Sequence, residues 1–172
     1  MPYHVDFEEW VPFPVERVFL FFANPTNLPR IMPPSTRTRI DGLRLVPPPL
    51  PLGVKNLAVG SLAGVGSEIV TSFCPIPFFP VRTAWIARIT EFEWNSYFED
   101  VQAKGPFRNW RQRHEMRPGT RNGVEGTTVC DRITLDLGFG MAGDAASRLF
   151  LAKQIANTFK FRQKVLPSLL AK

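Results

Sequence analysis

Four strand-like segments follow one another closely in the second half of the chain, and they constrain the fold more than any other feature of the sequence. They span about 82–93, 97–102, 108–117 and 126–137. Turn-forming residues such as Asn95-Ser96 and Gly105-Pro106 separate them, and the stretch 117–123 is predicted to be the last loop. Strands joined by such short connections pair antiparallel. These segments therefore predict an antiparallel sheet.

A long helix is predicted after this sheet, from Asp144 to about residue 165. Gly138, Gly140 and Gly143 mark the end of the sheet, and Asp144 follows them. The predicted inner face of the helix has a spacing of four and three residues, through Ala145, Leu149, Ala152, Ala156 and Phe159. At about 1.5 Å per residue, the helix is long enough to lie across a whole sheet. Its small residues either bring helix and sheet together or leave room for a ligand.

The N-terminal half adds strands and two short helices. Residues 3–11 alternate between apolar and polar side chains, which predicts a half-buried strand. Pro14 is suited to begin one short helix, and Asn24-Pro25 a second, from Pro25 to Ile31. Further strands are predicted at about 36–46, with a bulge or turn at Gly42, and at about 66–73. The order predicts an α+β fold, with one domain over residues 1–172.

The composition fits a chain with a large apolar core. Of 172 residues, 44% are apolar, which excludes intrinsic disorder, and no apolar run reaches the roughly 20 residues of a transmembrane helix. The N-terminus lacks a signal-peptide pattern. Cys74 and Cys130 form neither a disulfide framework nor a metal site, which indicates a reduced, cytoplasmic protein. Fifteen Phe against two Tyr indicate a wide apolar interior.

Several short motifs are spread along nearly the whole chain. They are Pro14-Val15-Glu16-Arg17-Val18-Phe19, Phe21-Phe22-Ala23-Asn24-Pro25-Thr26-Asn27-Leu28-Pro29, Trp85-x-x-x-Ile89, Phe98-x-Asp100-x-Gln102, Gly105-Pro106-Phe107, Trp110-x-x-x-His114 and Gly126-Thr127-x-x-x-Asp131. In these motifs and in element order the chain resembles the START/Bet v1-like superfamily, also labelled SRPBCC or polyketide cyclase/dehydrase and lipid-transport type.

This resemblance implies a helix-grip fold, in which a curved antiparallel sheet of about seven strands surrounds a long C-terminal helix and leaves a deep apolar cavity. Members of the superfamily bind or carry lipids, sterols, polyketides or plant hormones, and some catalyse cyclisation or dehydration. Two positions depart from the pattern. Gln112 stands where a second His is common, and Met116 where Phe is common. The first departure argues against a paired-His acid/base site.

The segment 108–117 has two chemically different faces. One face carries four charged residues, Arg111, Arg113, Glu115 and Arg117. Burying so many charges would cost several kcal/mol each, so this face must meet water. Because side chains alternate along a strand, the other face points into the concave interior. That inner face comprises Trp110, Gln112, His114 and Met116.

Asp131 lies among apolar residues of the last strand and needs a buried partner. His114, Gln102 and an arginine such as Arg88 are the candidates. We expect a polar cluster of Asp100, Gln102, His114 and Asp131 within an apolar cavity. Three roles are open for it: a structural network, orientation of a ligand, or general acid/base catalysis, for which His114 and Asp131 are the weak candidates.

No signature of a nucleophile or of a metal site is present. The sequence has no Gly-x-Ser-x-Gly and no His-Glu-x-x-His. Its second histidine, His4, lies on the polar side of the first strand. Two His and two Cys, far apart in sequence, do not supply a zinc site, and no cofactor is implied.

Large aromatic residues are the candidates for the cavity wall, although ordinary core packing explains many of them equally well. The wall candidates are Phe19, Phe22, Trp85, Phe98, Trp110 and Phe159. The predicted ligand-binding set is Trp85, Phe98, Asp100, Gln102, Trp110, Gln112, His114, Asp131 and Phe159. The ligand is expected to be small and apolar or amphipathic: a lipid, a polyketide or an isoprenoid-like molecule.

Two other function classes compete with ligand binding. One is a cyclase or dehydratase that uses His114 with Asp100 or Asp131. The other is an interaction module whose interior is filled by its own side chains. The excess of basic residues, a formal charge of +6, indicates a solvated basic face, with an anionic ligand head group or transient contact with an anionic membrane as the functional alternatives. Nucleic-acid binding is not expected, because no exposed aromatic platform accompanies the arginines.

Two proline-rich segments are interpreted as stiff connections. Residues 47–53 form an extended loop, for which a ligand segment of an SH3-type domain is the alternative. Residues 74–80 form a second rigid loop with a pair of Phe residues, and a lid function there stays open.

Overall fold

The structure is a computed structural model that describes residues 3–76, 79–136 and 141–172. For residues 141–148 it describes the backbone alone. Phe78 of the predicted loop pair, and Gly138 and Gly140, lie outside the described residues. The strands are β1 Tyr3–Val11, β2 Arg39–Arg44, β3 Glu68–Phe73, β4 Thr83–Glu93, β5 Tyr97–Lys104, β6 Asn109–Arg121 and β7 Val124–Asp136. The helices are α1 Val15–Ala23 and α2 Met141–Leu170, with 3-10 helices at Pro25–Ile31 and Pro34–Thr36.

In the described part of the chain, seven strands form one antiparallel sheet in the order β1-β7-β6-β5-β4-β3-β2. β1 and β2 therefore lie at opposite edges, and α1 and the 3-10 helices connect them. The predicted bulge at Gly42 is confirmed as a shift of register between Ile40 and Gly42. The predicted α+β class, the seven antiparallel strands, the short helices after the first strand and the long C-terminal helix are all confirmed.

The predicted loop over 117–123 is wrong, because β6 continues to Arg121. Pro118 is paired with Thr127 inside the β6–β7 hairpin. The pairing of β5 with β6 already begins at Tyr97 and Glu115, so no neighbouring strand on that side needs an N–H from Pro118. The turn is instead Asn122-Gly123, where φ values of 51° and 78° suit the tight two-residue hairpin turn.

The prediction for the last helix is partly wrong. α2 starts at Met141, before Asp144, and runs on to Leu170 with Pro167 inside it. Leu149, placed on the inner face by the sequence, is 76% exposed. The buried stripe is Ile155, Phe159, Arg162, Leu166 and Leu170. Ala152 and Ala156 are half-buried beside it, and the side chain of Ala145 lies outside the described residues. The buried face of α2 is rotated relative to the predicted face because apolar residues toward its C-terminal end, and not the alanines, form it.

The core consists of two apolar clusters. The larger cluster joins α1 and the C-terminal end of α2 to the sheet, and its members include Val18, Phe19, Phe98, Met116 and Leu166. The smaller cluster consists of four buried residues, Ile133, Leu135, Ile155 and Phe159, with half-buried residues such as Phe7 and Trp110 packed against them. Each pairs residues of the inner sheet face with residues of α2.

The outer face of the sheet carries rows of oppositely charged side chains. The ion pairs on it are Arg88–Glu68, Arg44–Glu68, Arg111–Glu99, Arg113–Glu91, Arg117–Glu8 and Arg132–Glu115. Arg113 also covers the ring of Tyr97, with the guanidinium carbon 3.5 Å from the ring centroid. The charged face of β6 thus lies outside, as the alternation of its residues predicts.

Candidate functional site

Five ionisable side chains meet on the inner side of the sheet, between the two apolar clusters. Four come from neighbouring strands, namely Glu9 of β1, Asp131 of β7, His114 of β6 and Asp100 of β5, and Arg162 comes from α2. We call these five residues the charged layer.

The position of the charged layer follows from the alternation of the strands. On β7, Ile133 belongs to the smaller cluster and Val129 to the larger one, and Asp131 lies between them on the same face. On α2, Arg162 lies between Phe159 of the smaller cluster and Leu166 of the larger one. The charged layer therefore separates the two apolar clusters across the interface between the sheet and α2.

Arg162 is the central cation of this layer and is 4% exposed. Its Nε donates a hydrogen bond to Glu9 Oε1, and its Nη2 donates to Asp131 Oδ2. The guanidinium carbon lies 4.4 Å from the ring centroid of Phe159 and 5.3 Å from that of Phe22. Two carboxylates and two aromatic rings thus enclose this buried charge, as a desolvated guanidinium requires.

Asp131 is fully buried and has three partners. Besides Arg162, the amide Nε2 of Gln112 donates to its Oδ1 at 2.9 Å, and His114 Nδ1 lies 2.6 Å from the same oxygen. Burial alone would raise the pKa of Asp131, but the charges of Arg162 and His114 outweigh it and hold the pKa well below the usual range of a carboxyl. Asp131 is therefore an ionised carboxylate.

His114 lies between two carboxylates. Its Nε2 donates to Asp100 Oδ2 at 3.1 Å, while its contact with Asp131 is short but out of line for a hydrogen bond from Nδ1. Its ring stacks on Phe98, with centroids 4.5 Å apart. Burial opposes the charged form, but Asp131 and Asp100 overcome that effect and raise the pKa of His114 to about 9. His114 is therefore an imidazolium at neutral pH.

Glu9 behaves differently from Asp131 although both bind Arg162. Burial of the Glu9 carboxyl raises its pKa, and the attraction of Arg162 only partly offsets that effect. The negative charge of Asp131 acts in the same direction as burial. The protonated form of Glu9 is thus favoured relative to an ordinary glutamate, which lowers the negative charge of the layer.

Four aromatic side chains lie together on the concave side, at the end of the sheet that carries the smaller cluster. They are Phe73, Trp85, Phe107 and Trp110, and we call them the aromatic set. Trp85 is 5.0 Å from Trp110 and 5.6 Å from Phe107 between ring centroids. Phe73 lies 6.3 Å from Trp85. All four are only half-buried, so part of their apolar surface faces solvent there.

The structure brings together three of the four residues of the predicted polar cluster, Asp100, His114 and Asp131. The fourth, Gln102, lies elsewhere: its side chain donates to the Phe107 carbonyl at 2.7 Å and accepts from the Phe107 N–H at 3.2 Å. Gln102 thus shapes the loop between β5 and β6. The prediction of Arg88 as a candidate partner of Asp131 is also wrong, because Arg88 binds Glu68 on the outer face.

The inward orientation predicted for β6 is confirmed. Trp110 packs on the smaller cluster, Gln112 and His114 contact Asp131, and Met116 is in the larger cluster.

The predicted wall residues fall into two groups. Phe19 and Phe98 are fully packed in the larger cluster, with Phe22 against them. Phe159 is buried in the smaller cluster, and Trp85 and Trp110 are half-buried in the aromatic set.

Sequence reasoning missed two members of the charged layer, Glu9 and Arg162. A signal for each exists in the sequence. Glu9 continues the inward alternation of Tyr3, Val5 and Phe7. Arg162 stands three residues after Phe159 and four before Leu166, which is the spacing of one helix face.

Two surface depressions are formed entirely by described residues, each with a volume of about 380 Å³. One opens where the pairing of β5 with β6 ends at Val101 and Arg111, and Gln102 and Trp110 line it. The other lies between the start of α1 and the β6–β7 hairpin, beside Pro14 and Pro118. Of the aromatic set, Trp110 lines the first depression.

Within the described ranges, His, Cys, Asp and Glu side chains form no group of three or more that is arranged to hold a metal ion. Among the helices that the structure describes, none combines the length and apolar character needed to cross a membrane.

Comparison with known proteins identifies the fold through structure alone. No family model matches the sequence, and no curated protein matches it. The crystal structure of Ara h 8.0201 superposes with a TM-score of 0.61 at 11% identity, covering 98% of this chain and 99% of that one. A START superfamily protein from Mycobacterium smegmatis gives 0.61 at 12% identity, covering 98% and 97%.

The protein TTHA0849 from Thermus thermophilus gives a TM-score of 0.59 at 15% identity and covers 94% of both chains. Such low identities carry the fold and not the activity. The match over nearly the entire length agrees with the strand order and the long C-terminal helix. The chain therefore has the START/Bet v1-like fold that its sequence motifs imply.

Proposed function

We propose that this protein binds a small apolar or amphipathic molecule between the sheet and α2, on the side of the charged layer where the aromatic set lies. The observation that carries the proposal is the half-buried aromatic set on the concave face, which keeps part of its surface open to solvent. Large aromatic residues that face water inside a concave surface lose the free energy that burial would give, and a ligand restores it.

The charged layer sets the orientation of that ligand. Beyond the layer, the larger cluster is filled by fully buried residues such as Val18, Phe19 and Leu166. An apolar chain that entered it would have to cross buried charges, which is costly. The polar end of the ligand therefore lies against His114 and Asp100, whose side chains are 14% and 13% exposed, and the apolar part contacts Trp85 and Trp110.

The remaining residues of the predicted set support these contacts. Gln112 and Asp131 hold His114 in place. Phe98 backs the His114 ring, Phe159 stacks on Phe7 and covers Arg162, and Gln102 fixes the loop that carries Phe107.

Ligand binding fits this geometry better than catalysis by a cyclase or dehydratase. A general base must be able to take up a proton near neutral pH. His114 is already protonated there, because its two carboxylate neighbours raise its pKa to about 9. Asp131 is occupied by Arg162, Gln112 and His114. Neither side chain of this ion pair is thus a free general base near neutral pH.

The test is titration with Nile red, a neutral dye whose emission rises in apolar surroundings. We expect saturable binding by the wild-type protein. The Trp110→Ala variant should bind at least about tenfold more weakly, since truncating a tryptophan wall removes roughly 1.5–3 kcal/mol of apolar contact.

Trp94→Ala is the matched control, because Trp94 packs on the larger cluster and donates to the Pro49 carbonyl. Its affinity for the dye should stay within about twofold of the wild type once circular dichroism shows that both variants are folded. Absence of dye binding by the wild type, or an equal loss in both variants, would contradict the proposed site.

A further inference from the structure

We infer that the polar end of the ligand is a hydrogen-bond donor, a hydroxyl or an ammonium group, and not a carboxylate. This inference rests on the proposed function and adds the chemical class of the ligand's polar end. The structure points to it through the pairing of charges in the layer that the ligand would meet.

The two cations of the charged layer are already bound to carboxylates. Arg162 binds both Glu9 and Asp131, and two aromatic rings cover its guanidinium. His114 has one ring nitrogen against Asp131 and the other against Asp100. An incoming carboxylate would have to displace one of these buried partners and leave it uncompensated.

The amides near this site are engaged as well. The Nε2 of Gln112 donates to Asp131, and that of Gln102 donates to the Phe107 carbonyl. Each of these contacts uses one N–H of its amide, which an acceptor on the ligand would have to compete for. Their loss would leave buried acceptors without partners, which costs about 1–3 kcal/mol for each.

Acceptor capacity remains at the exposed edge of the layer. Asp100 is partly exposed, and its Oδ2 accepts the hydrogen bond from His114 Nε2. Within the described ranges, no side chain pairs with its Oδ1, and a carboxylate oxygen readily accepts a further hydrogen bond. A hydroxyl or ammonium group that enters past Trp110 finds this oxygen as its partner.

The sum of charges acts in the same direction. Three carboxyl groups, Glu9, Asp100 and Asp131, share two cations, Arg162 and His114. With all five ionised, the layer carries one net negative charge, and with Glu9 protonated, the form that its raised pKa favours, the charges balance. In neither state does the layer hold an excess positive charge that would attract a carboxylate.

The experiment compares three twelve-carbon chains as competitors for Nile red at pH 7.4: 1-dodecanol below its solubility limit, and dodecylamine and dodecanoate below their micellar concentrations. We expect the alcohol and the amine to displace the dye at concentrations at least about tenfold lower than dodecanoate, because a carboxylate would enter this poorly solvated site without a free cation, and tenfold corresponds to about 1.4 kcal/mol. If dodecanoate displaces the dye from the wild-type protein at the same concentrations as the other two compounds, the inference is overturned without any variant being needed.

The Asp100→Asn variant then tests the residue. It keeps an acceptor for His114 but loses the charge, so the advantage of dodecylamine over dodecanoate should shrink by about fivefold or more. Asp6→Asn, on the exposed side of β1, is the control and should leave the ratio unchanged. An unchanged ratio in Asp100→Asn would contradict the role of Asp100. If Nile red itself does not bind, the proposed function fails, whereas dye binding without the donor preference refutes this inference alone.

Discussion

The two apolar clusters on either side of the charged layer are built from similar residues but differ in how closely they are covered. In the larger cluster, α1 and the C-terminal end of α2 close over the sheet, and residues such as Val18, Phe19 and Leu166 are fully buried. In the smaller cluster, Phe7 and Trp110 keep part of their surface exposed. The larger cluster, which we call the closed half, therefore supplies stability, whereas the smaller cluster leaves apolar surface free.

The charged layer keeps these halves distinct. A continuous apolar interior would allow α2 to settle anywhere along the sheet, whereas the two hydrogen bonds of Arg162 fix α2 against β1 and β7. Buried ion pairs give little net stability, but they penalise every arrangement that leaves a charge unpaired. The layer thus fixes where the closed half ends.

The strongest way to break this comparison is the Arg162→Met variant. It leaves Glu9 and Asp131 buried without their cation, so the free energy of unfolding should fall by roughly 3–5 kcal/mol. Urea unfolding followed by circular dichroism measures this loss.

Arg88→Met is the matched control for this loss, because its pair with Glu68 lies on the outer face. Its effect should stay below about 1 kcal/mol. Equal losses in the two variants would mean that the charged layer is no more important than a surface ion pair.

A second test compares a leucine from each half. Leu166→Ala, in the closed half, should cost about 3 kcal/mol, because its fully buried side chain leaves a cavity. Leu151→Ala, beside the smaller cluster, should cost less than about 1.5 kcal/mol because Leu151 is only partly buried. Chemical unfolding of both variants measures the difference, and a larger loss for Leu151 would reverse the assignment of the halves.

The pH dependence of stability sharpens the role of the charged layer. The pKa of His114 is raised from 6.5 to about 9, so its charged pairing stabilises the fold fully below pH 6.5 and is lost as the pH rises through 9. We expect a loss of up to about 3 kcal/mol between pH 6.5 and pH 10. Asp131 acts at the other end: because its pKa is lowered in the fold, its stabilising contribution is fully present above the ordinary pKa of 3.8 and is lost progressively as the pH falls below that value.

The groups that face His114 in this range are Asp100 and Asp131, with Glu9 and Arg162 behind them. Thermal unfolding of the wild type and of His114→Gln over pH 6–10 isolates the contribution, because the variant should lack this part of the pH dependence. Parallel curves for the two proteins would show that His114 is not the titrating group.

Most of the fold could be predicted from the sequence, because local signals decide it. Alternation located every strand to within a few residues, and Pro14 and Asn24-Pro25 marked the short helices. The errors arise where tertiary structure overrides a local signal. Pro118 looks like a strand end, but it is tolerated where β5 has already turned away.

The candidate site was only partly predictable. The alternation of β6 placed Trp110 and His114 inside, and the lone acid of β7 indicated a buried partner. The partner that completes the layer, Arg162, comes from a helix far along the chain, and its register depends on how α2 packs. Because a charged residue on a helix is usually exposed, no local pattern distinguishes this arginine from its neighbours.

The outer face of the sheet has a consequence for how the protein meets charged partners. Its arginines alternate with glutamates in pairs such as Arg111–Glu99 and Arg132–Glu115, so their fields largely cancel within a few ångströms. The formal charge of +6 is therefore not concentrated on this face. Long-range attraction of a polyanion by these paired arginines is therefore weaker than their number alone would suggest.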